Sequence, residues 1–127
     1  MKILVIEDHP MQLKLAHHVL SASGHEVSAA GAAEQAFTAI KANRPQLILL
    51  DLILPGMDGL TLVRQLKADA DTRDIHIVAI TSYPEVCPKA DAMAAGCDAY
   101  LVKPLDTRKL PGQLTALFER GRGTIDG

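Results

Sequence analysis

Four polar patches each follow an apolar run, and together they carry three carboxylates, a hydroxyl pair and an amine. Glu7-Asp8 follows Ile3-Leu4-Val5-Ile6, and Asp51 follows Leu47-Ile48-Leu49-Leu50. Thr81-Ser82 follows residues 75–80, and Lys103 follows Tyr100-Leu101-Val102. Three carboxylates brought together repel one another and resist ionising unless a cation intervenes. Lys103 supplies one positive charge, and a divalent ion would supply the rest. Magnesium suits such a set, because it takes a few carboxylate oxygens, keeps waters and accepts phosphate oxygens. Asp51 follows the central run and is the candidate reacting group, since a carboxylate can attack phosphorus to give an acyl phosphate. The metal and Lys103 would then offset charge on the transferring phosphoryl group.

Each residue has a plainer reading on its own. An acid at a strand end is ordinarily solvated. A lone threonine is more often a cap or turn residue, and a lone lysine a snorkelling surface residue. The chemistry therefore depends on whether one fold brings the four patches to one place.

The order of elements predicts that it does. The continuous apolar run 3–6 is expected of a strand covered on both faces. Leu13, Ala16, Val19 and Leu20 then recur at helical spacing up to Gly24, and residues 25–29 read as a weaker strand. Ala33, Ala36, Phe37 and Ile40 form a second helix, which stops before Pro45. After Asp51 come Pro55-Gly56 and Asp58-Gly59, loop signals that precede a third helix carrying Leu60, Val63 and Leu66. Ala90, Met93 and Ala94 mark a fourth helix, and Leu110, Leu114, Leu117 and Phe118 a fifth. Strands alternating with helices predict an α/β fold. The expected form is a doubly wound five-stranded parallel sheet, flavodoxin-like, in strand order 2-1-3-4-5 with five helices. All four patches then lie at the carboxyl edge of the sheet, where such folds bind ligands. One detail stays open. Pro111 either kinks a last helix capped by Asp106 or marks a helix that begins later, near Leu110.

The chain has 127 residues and a formal net charge of −2, so no basic field invites nucleic acid or anionic lipid. With two Phe, two Tyr and no Trp, it lacks the aromatic platforms of single-strand readers. Cys87 and Cys97 form no CxxC and are expected to be free thiols. His17-His18 and His76 show no transition-metal spacing. The short N-terminal apolar run suits neither a signal peptide nor a membrane span, so a cytoplasmic location is expected, without membrane insertion.

The pattern resembles the receiver domain of the two-component response-regulator family, over residues 2–120. The residues that carry the likeness are Glu7-Asp8, Asp51 with Leu54-Pro55-Gly56-Met57-Asp58-Gly59, Thr81-Ser82, and Gly96-Cys97-Asp98-Ala99-Tyr100-Leu101-Val102-Lys103-Pro104. The resemblance implies a phosphorylation-dependent signalling switch. Asp51 would be the phosphoacceptor, receiving its group from a histidine kinase or histidine phosphotransfer protein. Glu7, Asp8, Asp51 and the backbone carbonyl of Ile53 would hold magnesium, or manganese. Lys103 would pair with a phosphoryl oxygen, Thr81 would move to hydrogen-bond it, and Tyr100 would turn inward behind it. Such a protein would catalyse its own phosphorylation and dephosphorylation while serving chiefly in signalling. Its message would pass to a downstream protein target through the face of the fourth helix, fifth strand and fifth helix. Within residues 121–127 no effector module is expected, only a short polar tail.

Some positions depart from the commonest pattern of that family. Ile53 and Tyr83 are bulky where smaller or polar residues also occur, and are expected to limit water access to the phosphoryl group. Pro84 and Pro88 flank the start of the fourth helix and are expected to shorten or stiffen it. His9 reads as a turn residue before Pro10. Two alternatives share the fold: a receiver-like adaptor independent of phosphorylation, and a flavodoxin-type cofactor binder. The first must explain an intact Glu7, Asp8, Asp51, Thr81 and Lys103 set. The second expects a loop rich in Gly, Ser and Thr after the first strand, where this chain has Glu7-Asp8-His9-Pro10. An Asp-based phosphatase expects a second acid two residues after Asp51, and Ile53 stands there.

Overall fold

A computed structural model describes the backbone of residues 1–123 and the side chains of residues 1–119. Strands β1 (Lys2–Ile6), β2 (Glu26–Ala30), β3 (Leu47–Asp51), β4 (His76–Thr81) and β5 (Ala99–Val102) alternate with helices α1 (Pro10–Ala22), α2 (Ala33–Ala42), α3 (Gly59–Ala68), α4 (Lys89–Ala95) and α5 (Leu110–Gly123). All strand pairings are parallel, in the order β2-β1-β3-β4-β5. This is the predicted flavodoxin-like, doubly wound arrangement.

Side chains alternate across a strand, so the apolar runs divide between two cores. Leu4, Ile6, Ile48, Leu50, Ile77 and Ala79 face α2, α3 and α4, meeting Ala36, Ile40, Leu62 and Leu66. Ile3, Val5, Leu47, Leu49, Val78 and Ile80 face α1 and α5, where Leu20, Leu110 and Leu114 close the other layer. Every residue of β3 is buried, as its unbroken apolar run requires, whereas β2 and β5 are half-exposed edges.

Three local features set the ends of α3, α4 and α5. At the start of α3, Asp58 Oδ1 accepts from the Leu60 N–H, an N-cap bond, and Gly59 N–H donates to the Leu52 carbonyl at 3.0 Å. A Cβ at Gly59 would sit 2.6 Å from the Cα and carbonyl oxygen of Leu52, so only glycine permits this approach next to Asp51. Gly96 ends α4 at φ +120°, a conformation that L side chains rarely adopt. The course around Pro111 follows from a turn: Asp106 Oδ1 accepts from Arg108 N–H, and its carbonyl accepts from the Lys109 and Leu110 amides. Helix α5 therefore begins at Leu110, which places Pro111 in its first turn, where the missing N–H costs no intrahelical bond. Helix α5 runs on to Gly123, into the stretch expected as a tail, and residues 124–127 lie outside the described residues.

Candidate functional site

Parallel pairing puts the ends of β1, β3, β4 and the segment after β5 on one edge. Glu7 follows β1, its N–H bonded to the Ala30 carbonyl at 3.0 Å, and Asp51 is the last residue of β3. Both are nearly sealed from solvent, Glu7 at 2% and Asp51 at 5% exposure, whereas Asp8 is exposed. One carboxylate oxygen from each of Glu7, Asp8 and Asp51 lies within 4.8 Å of the others.

Lys103 is the counter-charge. Its Nζ donates to Glu7 Oε1 at 2.6 Å and to Asp51 Oδ2 at 2.9 Å, with 13% of its side chain exposed. The remaining oxygens are also engaged: His9 N–H donates to Glu7 Oε2 at 3.2 Å, and Ile53 N–H donates to Asp51 Oδ1 at 2.9 Å. Burial pushes the Glu7 carboxyl above its ordinary value, and the Asp51 charge adds to this, against the pull of Lys103 and the His9 amide. Burial pulls the Lys103 amine down, but its bonds to the two carboxylates outweigh that and leave it raised. The site thus holds two buried acids on one amine, with spare oxygen lone pairs and an exposed third acid.

Thr81 ends β4 fully buried, and its carbonyl accepts from Lys103 N–H at 2.9 Å. A bonded path runs outward from it. Tyr83 N–H donates to Thr81 Oγ1 at 3.0 Å, Cys87 N–H donates to the Tyr83 carbonyl at 3.0 Å, and the Tyr100 hydroxyl donates to the Cys87 carbonyl. Tyr100 on β5 is therefore tied to Thr81 through the segment before α4. Beside Asp51 a cleft of about 90 Å³ is lined by His9, Asp51, Ile53, Ser82, Tyr83 and Lys103. Ile53 and Tyr83 stand at its mouth, 42% and 53% exposed. Helix α4 has seven residues, with Pro88 at its N-cap.

All seven residues singled out from the sequence fall in this region, Tyr100 one strand away through Cys87. Two features had no separate signal. Gln12, on the first turn of α1, accepts from Lys103 Nζ at 2.5 Å. Asp98 and Lys67 form a clasp below β4: Asp98 Oδ2 accepts from Ile77 N–H at 2.7 Å and from Lys67 Nζ at 3.3 Å, while Lys67 also donates to the Arg73 and Ile75 carbonyls. The Asp98 motif residue therefore serves the fold. Cys87 and Cys97 are free and buried, and burial pushes the Cys97 thiol up to about 11, which keeps it an unreactive thiol.

The family model of the response regulator receiver domain matches residues 3–115. The chain belongs to that family. As a receiver domain it is 36% identical over 128 residues to the two-component response regulator PhoP of Pseudomonas aeruginosa, covering 98% of this chain and 55% of that protein. It is 34% identical over 119 residues to the DNA-binding response regulator MtrA of Mycolicibacterium smegmatis, covering 94% of this chain and 51% of that protein. The chain thus spans about half the length of these curated relatives. Among solved structures, a CheY-like response regulator receiver domain protein from Methanospirillum hungatei superposes with a TM-score of 0.86 at 25% identity, covering 95% of both chains. Among the described residues, no helix of this receiver domain is long and apolar enough to cross a membrane.

Proposed function

We propose that this receiver domain is a phosphorylation-dependent switch in which Asp51 accepts a phosphoryl group from a histidine kinase or histidine phosphotransfer protein. The observation that carries the reading is the Lys103 bridge between Glu7 and Asp51, a positive charge held where phosphoryl oxygens would arrive. Asp51 is poised as the nucleophile: its Oδ1 is fixed by the Ile53 amide, and its carboxylate borders the cleft. An Asp51 oxygen forms the new bond to phosphorus as the phosphorus–nitrogen bond of the donor histidine breaks, and the departing imidazole takes up a proton. The donor set fits a hard cation, being three convergent carboxylates with hydrated Asp8 at the rim. Glu7, Asp8, Asp51 and the Ile53 carbonyl would hold magnesium or manganese, which when bound supplies charge neutralisation for the phosphoryl oxygens.

A phosphoryl group adds about −1.5 to −2 charge and strong acceptors. Thr81 and Lys103 answer it by turning their donors toward it. Because the Tyr83 amide is bonded to Thr81 Oγ1, a turn of Thr81 pulls on the segment that carries the Cys87 carbonyl and hence on Tyr100. The exposed Val86, Met93 and Val102 lie on the α4–β5 side of that path, the surface assigned to a downstream protein target. Neither nucleic acid nor membrane is assigned to this domain.

The test is incubation with magnesium and a small acyl phosphodonor, followed by detection of an acid-stable, base-labile phosphoryl group. Labelling in the unsubstituted chain and its loss in Asp51→Asn are expected. Absence of label, or persistence in Asp51→Asn, overturns the proposal.

A further inference from the structure

We propose that Gln12 is a positioning residue for Lys103, holding the third N–H of its ammonium so that the amine keeps its place when Glu7 and Asp51 turn to other partners. The inference rests on the receiver reading above and deepens it. An ammonium has three donors and no acceptor. Lys103 Nζ meets three acceptors on three elements: Glu7 after β1 at 2.6 Å, Asp51 on β3 at 2.9 Å and Gln12 on α1 at 2.5 Å. Two of these are the carboxylates the chemistry needs, and Gln12 is the neutral third.

The backbone of Gln12 is set in advance. Pro10 opens α1, His9 N–H is bonded to Glu7 Oε2, and the His9 carbonyl accepts from Leu13 N–H at 2.9 Å. The first turn of α1 is thus fixed to the same carboxylate that Lys103 holds. Beyond Gln12, an apolar groove of about 160 Å³ separates Leu15 and Ala16 from Pro104, Leu105 and Leu110, and Gln12 and Lys103 stand at its polar end. Lys103 donates this charge-assisted bond to the Gln12 amide oxygen at the solvent-facing end of that groove.

Chemistry makes an amide preferable here. A cation on a spare lone pair of Glu7 would compete with Lys103 for the same negative charge and weaken the 2.6 Å bond. A phosphoryl group on Asp51 neutralises the second carboxylate and draws the amine toward new oxygens. Gln12 stays bonded through both changes, and being neutral it leaves the whole charge of Lys103 for the phosphoryl oxygens. Without Gln12 the amine depends on Glu7 and Asp51 alone, and competes harder with the cation for both.

Gln12→Leu and Gln12→Glu test this in the full chain. Leucine is as good a helix former as glutamine and Gln12 is exposed, so the variant should fold, with the melting temperature lowered by no more than a few degrees. In Gln12→Leu, the magnesium dissociation constant should rise about three- to tenfold, and phosphorylation at saturating magnesium should slow by a similar factor. In Gln12→Glu, which restores an acceptor, magnesium should bind at least as tightly as in the unsubstituted chain, while the added charge keeps phosphorylation slow. The Lys103 ammonium resonance, read by nitrogen-15 NMR, should exchange with water faster in Gln12→Leu. Unchanged exchange overturns the inference. So does magnesium affinity within twofold in Gln12→Leu, or equal weakening in both variants. Should the unsubstituted chain take no phosphoryl group, the phosphoacceptor reading fails, and the ammonium exchange still decides the role of Gln12.

Discussion

Replacing Lys103 by methionine keeps the unbranched stem, one atom shorter, and removes its charge from between two buried carboxylates. At 2.6 Å and 2.9 Å, each ion pair carries about 6 kcal/mol of gross attraction at an effective dielectric constant of about 20, most of it offset by desolvation. Removing one partner of such a buried pair costs about 3–5 kcal/mol if the other stays charged. Glu7 has an escape, because it can bind a proton. From an ordinary value of 4.5, protonating it at pH 7 costs about 3 kcal/mol, at about 1.4 kcal/mol per pH unit. The expected loss at pH 7 is therefore about 2–3 kcal/mol. The sign of the pH dependence follows from the raised Glu7 carboxyl. A raised group contributes stability fully below its unfolded value of 4.5 and loses it as pH rises through its folded value. Loss of Lys103 raises Glu7 further, so the deficit should grow from pH 5 to pH 7. Urea unfolding of Lys103→Met and the unsubstituted chain at pH 5, 6 and 7 measures it. A deficit below about 1 kcal/mol at pH 7, or one that does not change with pH, refutes the reasoning.

Other consequences are equally specific. Asp98→Ala leaves the Ile77 N–H without its acceptor and takes one of three acceptors from Lys67, and should cost about 1–3 kcal/mol by urea unfolding while Asp51 still accepts phosphate. Gly59→Ala drives a Cβ to 2.6 Å from the Leu52 backbone, so it should lose about 1–3 kcal/mol and slow phosphorylation of the adjoining Asp51; wild-type behaviour in both measurements would show that the loop yields freely. Opening the cleft mouth with Ile53→Asn and Tyr83→Ala together should speed loss of the phosphoryl group, and an unchanged hydrolysis rate would mean these side chains do not shield it.

The sheet and the edge that carries the candidate site were legible because buried parallel strands are written as unbroken apolar runs. The run 47–50 ends at Asp51, and the strand that it forms is buried throughout. Parallel pairing then brings Glu7, Asp51, Thr81 and Lys103 to one edge wherever their runs end. The start of α5 was not legible, since it depends on whether Asp106 caps a helix or a separate turn, and backbone bonding to its carbonyl decides for the turn.

Sequence alone therefore determined the element types, their order, and which polar residues end the strands as candidates for chemistry, because periodicity and run length are local properties. Tertiary structure decided which groups share a proton or a charge. Gln12 lies 91 residues from Lys103 and Lys67 lies 31 from Asp98, and neither pair is marked by any local pattern. Burial is likewise a property of the assembled layers: it separates the sealed Glu7 from its hydrated neighbour Asp8, although the chain sets them side by side.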